Sequence, residues 1–390
     1  LKPFWLKLFR FSIAHKALHH CRLSQFRPST RTASMMFIFW AAIGLARASG
    51  SSNVDSKSNS TRTSADFQWT DALRAAAKPM PQKKFHATDV LNDGRPVTCS
   101  TSHCTAASVS SPNFKWTPEL RAEAKPKKPP SMQTLPFHNS TISKNCPLPA
   151  RITDFASVPA SLIGRILFQD ASGDSYICSG AFVADYNMVL TAGHCCYTPA
   201  GGAEPSGWHK NWEVTLGYDH GGGRHYAASK ATCNTAWSND HDWTHDYCML
   251  TMKDEGPGYL GWMVGFDPAS YMKAIDAYGY PANFGGNEEL YVAHGSYSSA
   301  NLNGKKSGTV LANCDQMHAG NSGGPWRSHY HVIGLNSYHV GGDSATQEYS
   351  PYFGSDWLAS CRYAGFCRSF QEVNGTIVGA PGLSSMPLVV

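Results

Sequence analysis

Acidic residues are missing from the first 34 positions, which carry seven lysines and arginines. The chain begins at Leu1. That stretch reads either as an extended positive leader or as upstream sequence ahead of Met35 or Met36, and the second reading is preferred. Long apolar runs are lacking too. The run 35–45 falls short of the about 20 residues that a membrane helix needs, so no membrane span is expected. Its length suits a secretory signal, with Ala46-Arg47-Ala48 as a small-x-small cleavage site. Residues 1–48 are read as leader and signal, and the protein as secreted and extracellular. No sustained helical period appears after 152, which argues against a helical bundle.

What the sequence does hold is unevenly spread. Residues 1–151 contain 22 basic and 7 acidic side chains, and 152–390 contain 11 basic and 21 acidic. The net charge of +5 therefore hides a basic part joined to an acidic part. Nucleic-acid binding does not follow from that balance; mutual attraction of the two parts does. Twelve cysteines point to an oxidising compartment. Asn59-Ser60-Thr61, Asn139-Ser140-Thr141 and Asn374-Gly375-Thr376 are glycosylation sequons, and none lies within 152–370.

An imperfect repeat fills part of 49–151. Phe67-Gln68-Trp69-Thr70 returns as Phe114-Lys115-Trp116-Thr117, each followed by a short helical pattern that ends at Pro79 or Pro126. Thr70 and Thr117 suit N-caps, and Pro118 suits the first helical position. Helices of about two turns are unstable alone in water. The surrounding Ser-, Lys- and Pro-rich sequence predicts disorder in 49–145 unless the segment docks on something. Shared Phe, Trp and Leu favour docking over a passive linker.

From Ile152 the texture changes to short strand-like runs between Gly-, Asn- and Asp-rich turns, as at 162–168, 176–183, 188–190, 212–216, 274–280 and 331–335. Such spacing means an all-β sandwich or barrel. Residues 355–360 read as a short C-terminal helix. The domain plan is leader 1–48, propeptide 49–151, strand-rich domain 152–370 and C-terminal tail 371–390.

Two motifs carry chemistry. Gly320-Asn321-Ser322-Gly323-Gly324-Pro325 puts a serine on a tight turn whose backbone N–H groups can converge on an oxyanion. Val189-Leu190-Thr191-Ala192-Gly193-His194-Cys195 runs a strand end into a histidine. Together, in that order, they resemble the chymotrypsin-like serine peptidases. That resemblance implies two packed six-stranded antiparallel β-barrels with a short C-terminal helix and the site between them. It implies Ser322 as nucleophile, His194 as general base and acid, and the N–H groups of Gly320 and Ser322 as oxyanion hole. Between the motifs lie Asp240, Asp242 and Asp246. Asp246 precedes the apolar Tyr247-Cys248-Met249-Leu250 and is preferred as the third member, with Asp242 as runner-up. The resemblance also pairs Cys178 with Cys195. Cys361 and Cys367 suit a small loop. The nine cysteines of 146–390 leave one over, with Cys248 a candidate buried free thiol.

Pro159-Ala160-Ser161-Leu162-Ile163-Gly164, Tyr278-Gly279-Tyr280-Pro281 and Asp315 ahead of Gly320-Asn321-Ser322 resemble the glutamyl-endopeptidase-like branch. Specificity residues depart from it. Gln316 stands where trypsin has its aspartate, Met317 replaces the pocket threonine or serine, and Asn336 the pocket histidine. Gln316, Met317, Asn336, Ser337 and Tyr338 are the expected substrate-binding set, with Ser337-Tyr338-His339 pairing with substrate backbone. Arg151-Ile152 lies where the family's mature chain begins. Asn321 takes the place of the aspartate that pairs with the new amine, so the propeptide is expected to control activity as an intramolecular inhibitor.

The reading is a secreted serine endopeptidase made as a proenzyme, acting on proteins or peptides without a cofactor. The alternative is a catalytically silent peptidase-fold binding or inhibitor protein. His241-Asp242-Trp243-Thr244-His245 has the i, i+4 spacing of a zinc helix but lacks the glutamate and a third ligand, so no metal is expected. His329 and His331 read as surface residues.

Overall fold

The computed structural model describes residues 88–90, 96–107, 114–128, 146–200, 205–339 and 346–383. The leader, the first repeat copy and the sequons at Asn59 and Asn139 lie outside them.

The fold is all-β. Strands Ile163–Gln169, Ser175–Phe182, Met188–Thr191, Cys248–Met252, Arg224–Asn234 and Lys210–Leu216 pair antiparallel in that order, and the last returns to the first. They close a six-stranded barrel. Ile163, Ile166, Phe168, Val189, Leu190, Val214 and Leu250 on these strands are all buried in one apolar core.

In the second half, Gln347–Pro351, Ser307–Asn313, Tyr291–Asn303, Ile275–Gly279, Pro325–Ser328 and His331–Leu335 pair antiparallel in turn. After a bend at Asn336 and Ser337, Tyr338–His339 pairs back onto Gln347–Pro351. The sheet so returns on itself, and the bend faces the first barrel. The C-terminal helix runs Ser355–Tyr363, longer than 355–360, because Trp357, Leu358 and Cys361 bury one face.

Residues assigned to the tail are partly built in. Thr376–Gly379 pairs with Gly261–Val264, and the Asn374-Gly375 turn joins it to Gln371–Val373. Positive φ at both turn residues, 51° and 75°, is what this hairpin turn needs.

The segment 49–151 is not a bare linker where it is described. His103–Ala107 pairs with Lys230–Asn234 and continues the barrel sheet on an otherwise open edge. Pro118–Glu123 is a helix capped by the Thr117 side chain, with Pro118 in its first turn, as the repeat predicts. Trp116, Ala124, Leu167 and Ile177 form a small apolar cluster with Phe114 and Leu120 packed on it. The Trp116 indole donates to the Asn211 carbonyl at 2.8 Å. Arg121 grips the Glu213 carboxylate with both terminal nitrogens.

Among the described residues, five disulfides join Cys99–Cys104, Cys146–Cys314, Cys178–Cys195, Cys196–Cys248 and Cys361–Cys367. The free thiol there is Cys233, not Cys248. Cys233 lies directly across the ladder from Cys248, and the three sulfurs of Cys196, Cys233 and Cys248 lie within 4.8 Å. Linear sequence cannot choose among partners that the sheet brings so close. Burial raises the Cys233 pKa well above the usual thiol value, so it stays a thiol and a poor nucleophile.

His331 is half-buried, not superficial; burial, then His329, lower its pKa to about 4. His103 behaves alike. Its ring bonds Ser360 and Ser102, each at 2.8 Å, and stacks on Tyr363. Burial lowers its pKa from 6.5 to about 4, against the opposing charge of Asp356. The ring is neutral when folded and charges more readily when exposed. Its contribution is therefore full above 6.5 and lost as pH falls through about 4, worth about 3 kcal/mol at most. Amide exchange in 103–107, corrected for intrinsic rates, is expected to speed up between pH 6 and pH 4. His103→Gln should flatten that dependence; an unchanged profile would remove His103 as the cause.

Candidate active site

The two motifs meet between the barrels. Strand Met188–Thr191 ends in a short turn, Gly193–Cys195, that carries His194. Gly193 has to be glycine, because a Cβ there would lie 2.9 Å from Asp246 Oδ1 and from the Trp237 ring. The Cys178–Cys195 disulfide ties this turn to the neighbouring strand, its sulfurs within 4.8 Å of a His194 ring nitrogen.

Asp246 sits at the mouth of strand Cys248–Met252 and is fully buried. Its Oδ1 accepts the His194 backbone N–H at 2.8 Å, and Oδ2 lies 2.9 Å from His194 Nδ1. The Ser337 hydroxyl donates to the same Oδ2 at 2.5 Å. These bonds fix the ring and place the proton on Nδ1, which leaves Nε2 free to accept one. His194 Nε2 is buried without a hydrogen-bond partner among the described residues. Asp242 does something else: it caps the turn Trp243–His245 through the Thr244 N–H and lies 3.0 Å from His245 Nδ1. His241 and His245 share no helix, since His241 has a φ of 54°.

Ser322 is on the predicted tight turn. Gly320 has a φ of 94°, and a Cβ there would come within 2.0 Å of Asn287 Nδ2. The turn is pinned from the first barrel: the Ser179 hydroxyl donates to Gly320 O, and Ser179 N–H to Ser322 O, both at 2.8 Å. The Ser322 N–H makes no hydrogen bond among the described residues. The Gly320 N–H points to the Lys127 carbonyl oxygen, from the segment ahead of Arg151, at 3.2 Å. An imidazole with a free Nε2, a serine on a strained turn and outward N–H donors are together what acyl transfer requires.

The expected substrate-binding set scatters. Tyr338 is buried, stacks on Tyr349 and packs at a tilt against Trp243. Ser337 spends its hydroxyl on Asp246. Gln316 is half-buried, with its Nε2 3.4 Å from the Pro147 carbonyl. Met317 is fully buried. Asn336 is occupied throughout: its amide oxygen accepts from Trp326, and its nitrogen donates to the Tyr278 and Asn321 carbonyls. It braces the turn and offers no group to a ligand. Sequence reading missed Ser179, Lys127 and Glu348. Ser179, one residue after Cys178, has no local signature; the cross-barrel approach alone gives it a role.

Residues 163–357, half of the chain, match the model of the family described as Trypsin. Among solved structures the chain is similar to a thermostable serine protease, AL20, from an extremophilic microorganism. Identity is 27%, with 53% of this chain and 97% of that chain covered and a TM-score of 0.43. It is also similar to the protease Anisep from Arthrobacter nicotinovorans, at 26% identity, with coverage of 53% and 97% and a TM-score of 0.43. A Glu endopeptidase matches at 17% identity, with 58% and 99% covered and a TM-score of 0.48. No curated protein matches.

Proposed function

Since the chain belongs to the trypsin family and is a serine endopeptidase, we propose that it is a secreted peptidase made as a proenzyme, cutting peptide bonds through Ser322, His194 and Asp246. The observation that carries this is the Asp246 carboxylate on both the backbone and the ring of His194. In the proposed cycle Ser322 Oγ attacks the scissile carbonyl while His194 Nε2 takes its proton. The N–H groups of Gly320 and Ser322 hold the oxyanion. His194 then gives the proton to the leaving amine, and water repeats the sequence on the acyl-enzyme.

The latent state is supported by the strap 114–128. Lys125 and Pro126 pair parallel with Tyr176 and Ile177, and Lys127 N–H donates to Ile177 O at 2.9 Å. The Lys127 carbonyl then fills the Gly320 donor. A substrate lays its acyl side along Ser337–His339 and leaves past Ile177. The strap enters past Ile177 and so threads the cleft in the opposite sense. A peptide in that polarity occupies the oxyanion donor without offering a bond in the order that acyl transfer needs.

The Arg151-Ile152 bond, the proposed processing site, is itself held. Ala150–Arg151 pairs with Tyr291 and Val292, and the Arg151 guanidinium reaches Asp219 at 3.0 Å and Glu289 at 3.2 Å.

A fluorophosphonate that labels active serines tests the whole reading. The full chain is expected to label slowly, and Trp116→Ala with Arg121→Ala to label faster. Each 1.4 kcal/mol of docking lost corresponds to roughly tenfold more open site, and a buried tryptophan deletion alone costs about 3–5 kcal/mol. Equal rates would reject the strap as inhibitor. No labelling, even of the Trp116→Ala, Arg121→Ala chain after cuts at Arg151 and between 128 and 146, would favour the silent binding or inhibitor protein.

A further inference from the structure

Two N–H donors aim at one point only if the turn between them is held. Asn321 lies between Gly320 and Ser322 with its side chain turned inward. Its Nδ2 donates to the Met317 carbonyl at 2.9 Å and to the Glu348 carboxylate at 3.0 Å. Glu348 is 1% exposed and stands across the ladder from His339. His339 Nε2 is 3.1 Å from Glu348 Oε2 and 2.7 Å from Met317 O, while Nδ1 is 2.8 Å from Gln347 O.

Both ring nitrogens of His339 face acceptors, and only the imidazolium has two N–H donors. Burial opposes the charge, but Glu348, by its charge and hydrogen bond, and Asp315 raise the His339 pKa to about 10. Asp315 is buried as well. Burial and the Glu348 charge push its pKa well above the carboxylate range. Its Oδ1 takes the Met317 N–H at 3.1 Å. Beneath the turn the His339 ring and the Glu348 carboxylate form a buried pair 3.1 Å apart, and such groups are tolerated only when paired in this way.

We propose that Glu348 is a positioning residue: with His339 as counter-ion, it holds Asn321 and thereby the oxyanion turn before any cut at Arg151-Ile152. The inference rests on the proenzyme reading above. In the trypsin scheme a new N-terminal amine builds the hole by pairing with an aspartate at this position. Here the anchor is internal. In the uncut chain the Gly320 N–H already points at a carbonyl oxygen, and the Ile152 N–H is engaged by Leu290 O at 2.8 Å. The oxyanion turn is therefore finished before any cut at Arg151-Ile152 and is not assembled by it.

The test uses the full chain cut both at Arg151 and between 128 and 146, with its disulfides intact. Carbamoylation of the Ile152 amine by cyanate is expected to leave kcat within about twofold; a loss beyond tenfold would overturn the proposal. Asn321→Asp sets a carboxylate against Glu348 and is expected to lower kcat about 100-fold, the scale of one lost oxyanion donor, with KM little changed. Adding Glu348→Gln exchanges donor and acceptor and should return kcat to within about tenfold of wild type. An active Asn321→Asp chain, or a double variant no better than the single, refutes the role. Glu348→Gln alone is isosteric and should fold, with a smaller loss in kcat. Wild-type protein that takes up no phosphonate would sink the peptidase reading instead. The thermal midpoints of the same four chains would still show whether Asn321 and Glu348 are coupled.

Discussion

Ser322→Ala is expected to lower kcat for peptide hydrolysis by roughly 10⁶-fold and to leave the thermal midpoint within a few degrees. The loss is that large because the other catalytic groups act only through this oxygen. The fold is spared because the Ser322 side chain makes no hydrogen bond among the described residues and the turn is held by backbone atoms and Asn321. His194→Ala should lose about as much, and the double variant no more than either. Active-site titration with burst kinetics reads these directly. A Ser322→Ala chain that keeps even one hundredth of wild-type kcat would mean another nucleophile.

Asp246→Asn is expected to cost about 10⁴-fold. The asparagine nitrogen would face either the Nδ1 proton or the His194 N–H, both of which need an acceptor. The ring then takes the other tautomer, with its proton on Nε2, where it cannot accept one from Ser322. Asp242→Asn should leave kcat nearly unchanged, since Asp242 serves only the cap and His245. The reverse outcome, a silent Asp246→Asn and a damaged Asp242→Asn, would reassign the third member of the triad.

The catalytic turn was readable because its requirements are local. A positive φ and a crowded backbone demand glycine at Gly320 whatever the rest of the chain does. The place of Asp246 beside His194 was readable because an acid opening an apolar strand has few other uses. The second repeat copy was readable as a capped helix for the same local reasons. What escaped was set by pairing across the sheet. Nothing near Lys127 says that its carbonyl meets Gly320. The small and polar side chains of 103–107 hide a strand, because His103–Ala107 gains its partner only from the open edge of Lys230–Asn234. Asn336 was misplaced because position along a strand does not reveal that Trp326 and two carbonyls consume its amide. Glu348 was overlooked because a lone glutamate in a strand looks solvated until its ladder partner is known to be a histidine.

The Cys146–Cys314 bond has its own consequence if, as proposed, the chain is a proenzyme cut at Arg151-Ile152. Cys146 lies before Arg151-Ile152 and Cys314 after it, so a cut there leaves two chains still joined. Lys127, whose carbonyl meets Gly320, precedes Cys146 by 19 residues (146 − 127) in the same chain. A tether of that length keeps a binding segment at an effective concentration on the order of millimolar. Dilution therefore does not free the site, and the cleaved protein inhibits itself to the same degree at any concentration. Release is then a matter of stoichiometry: one further cut between 128 and 146, or opening of one cystine, per molecule.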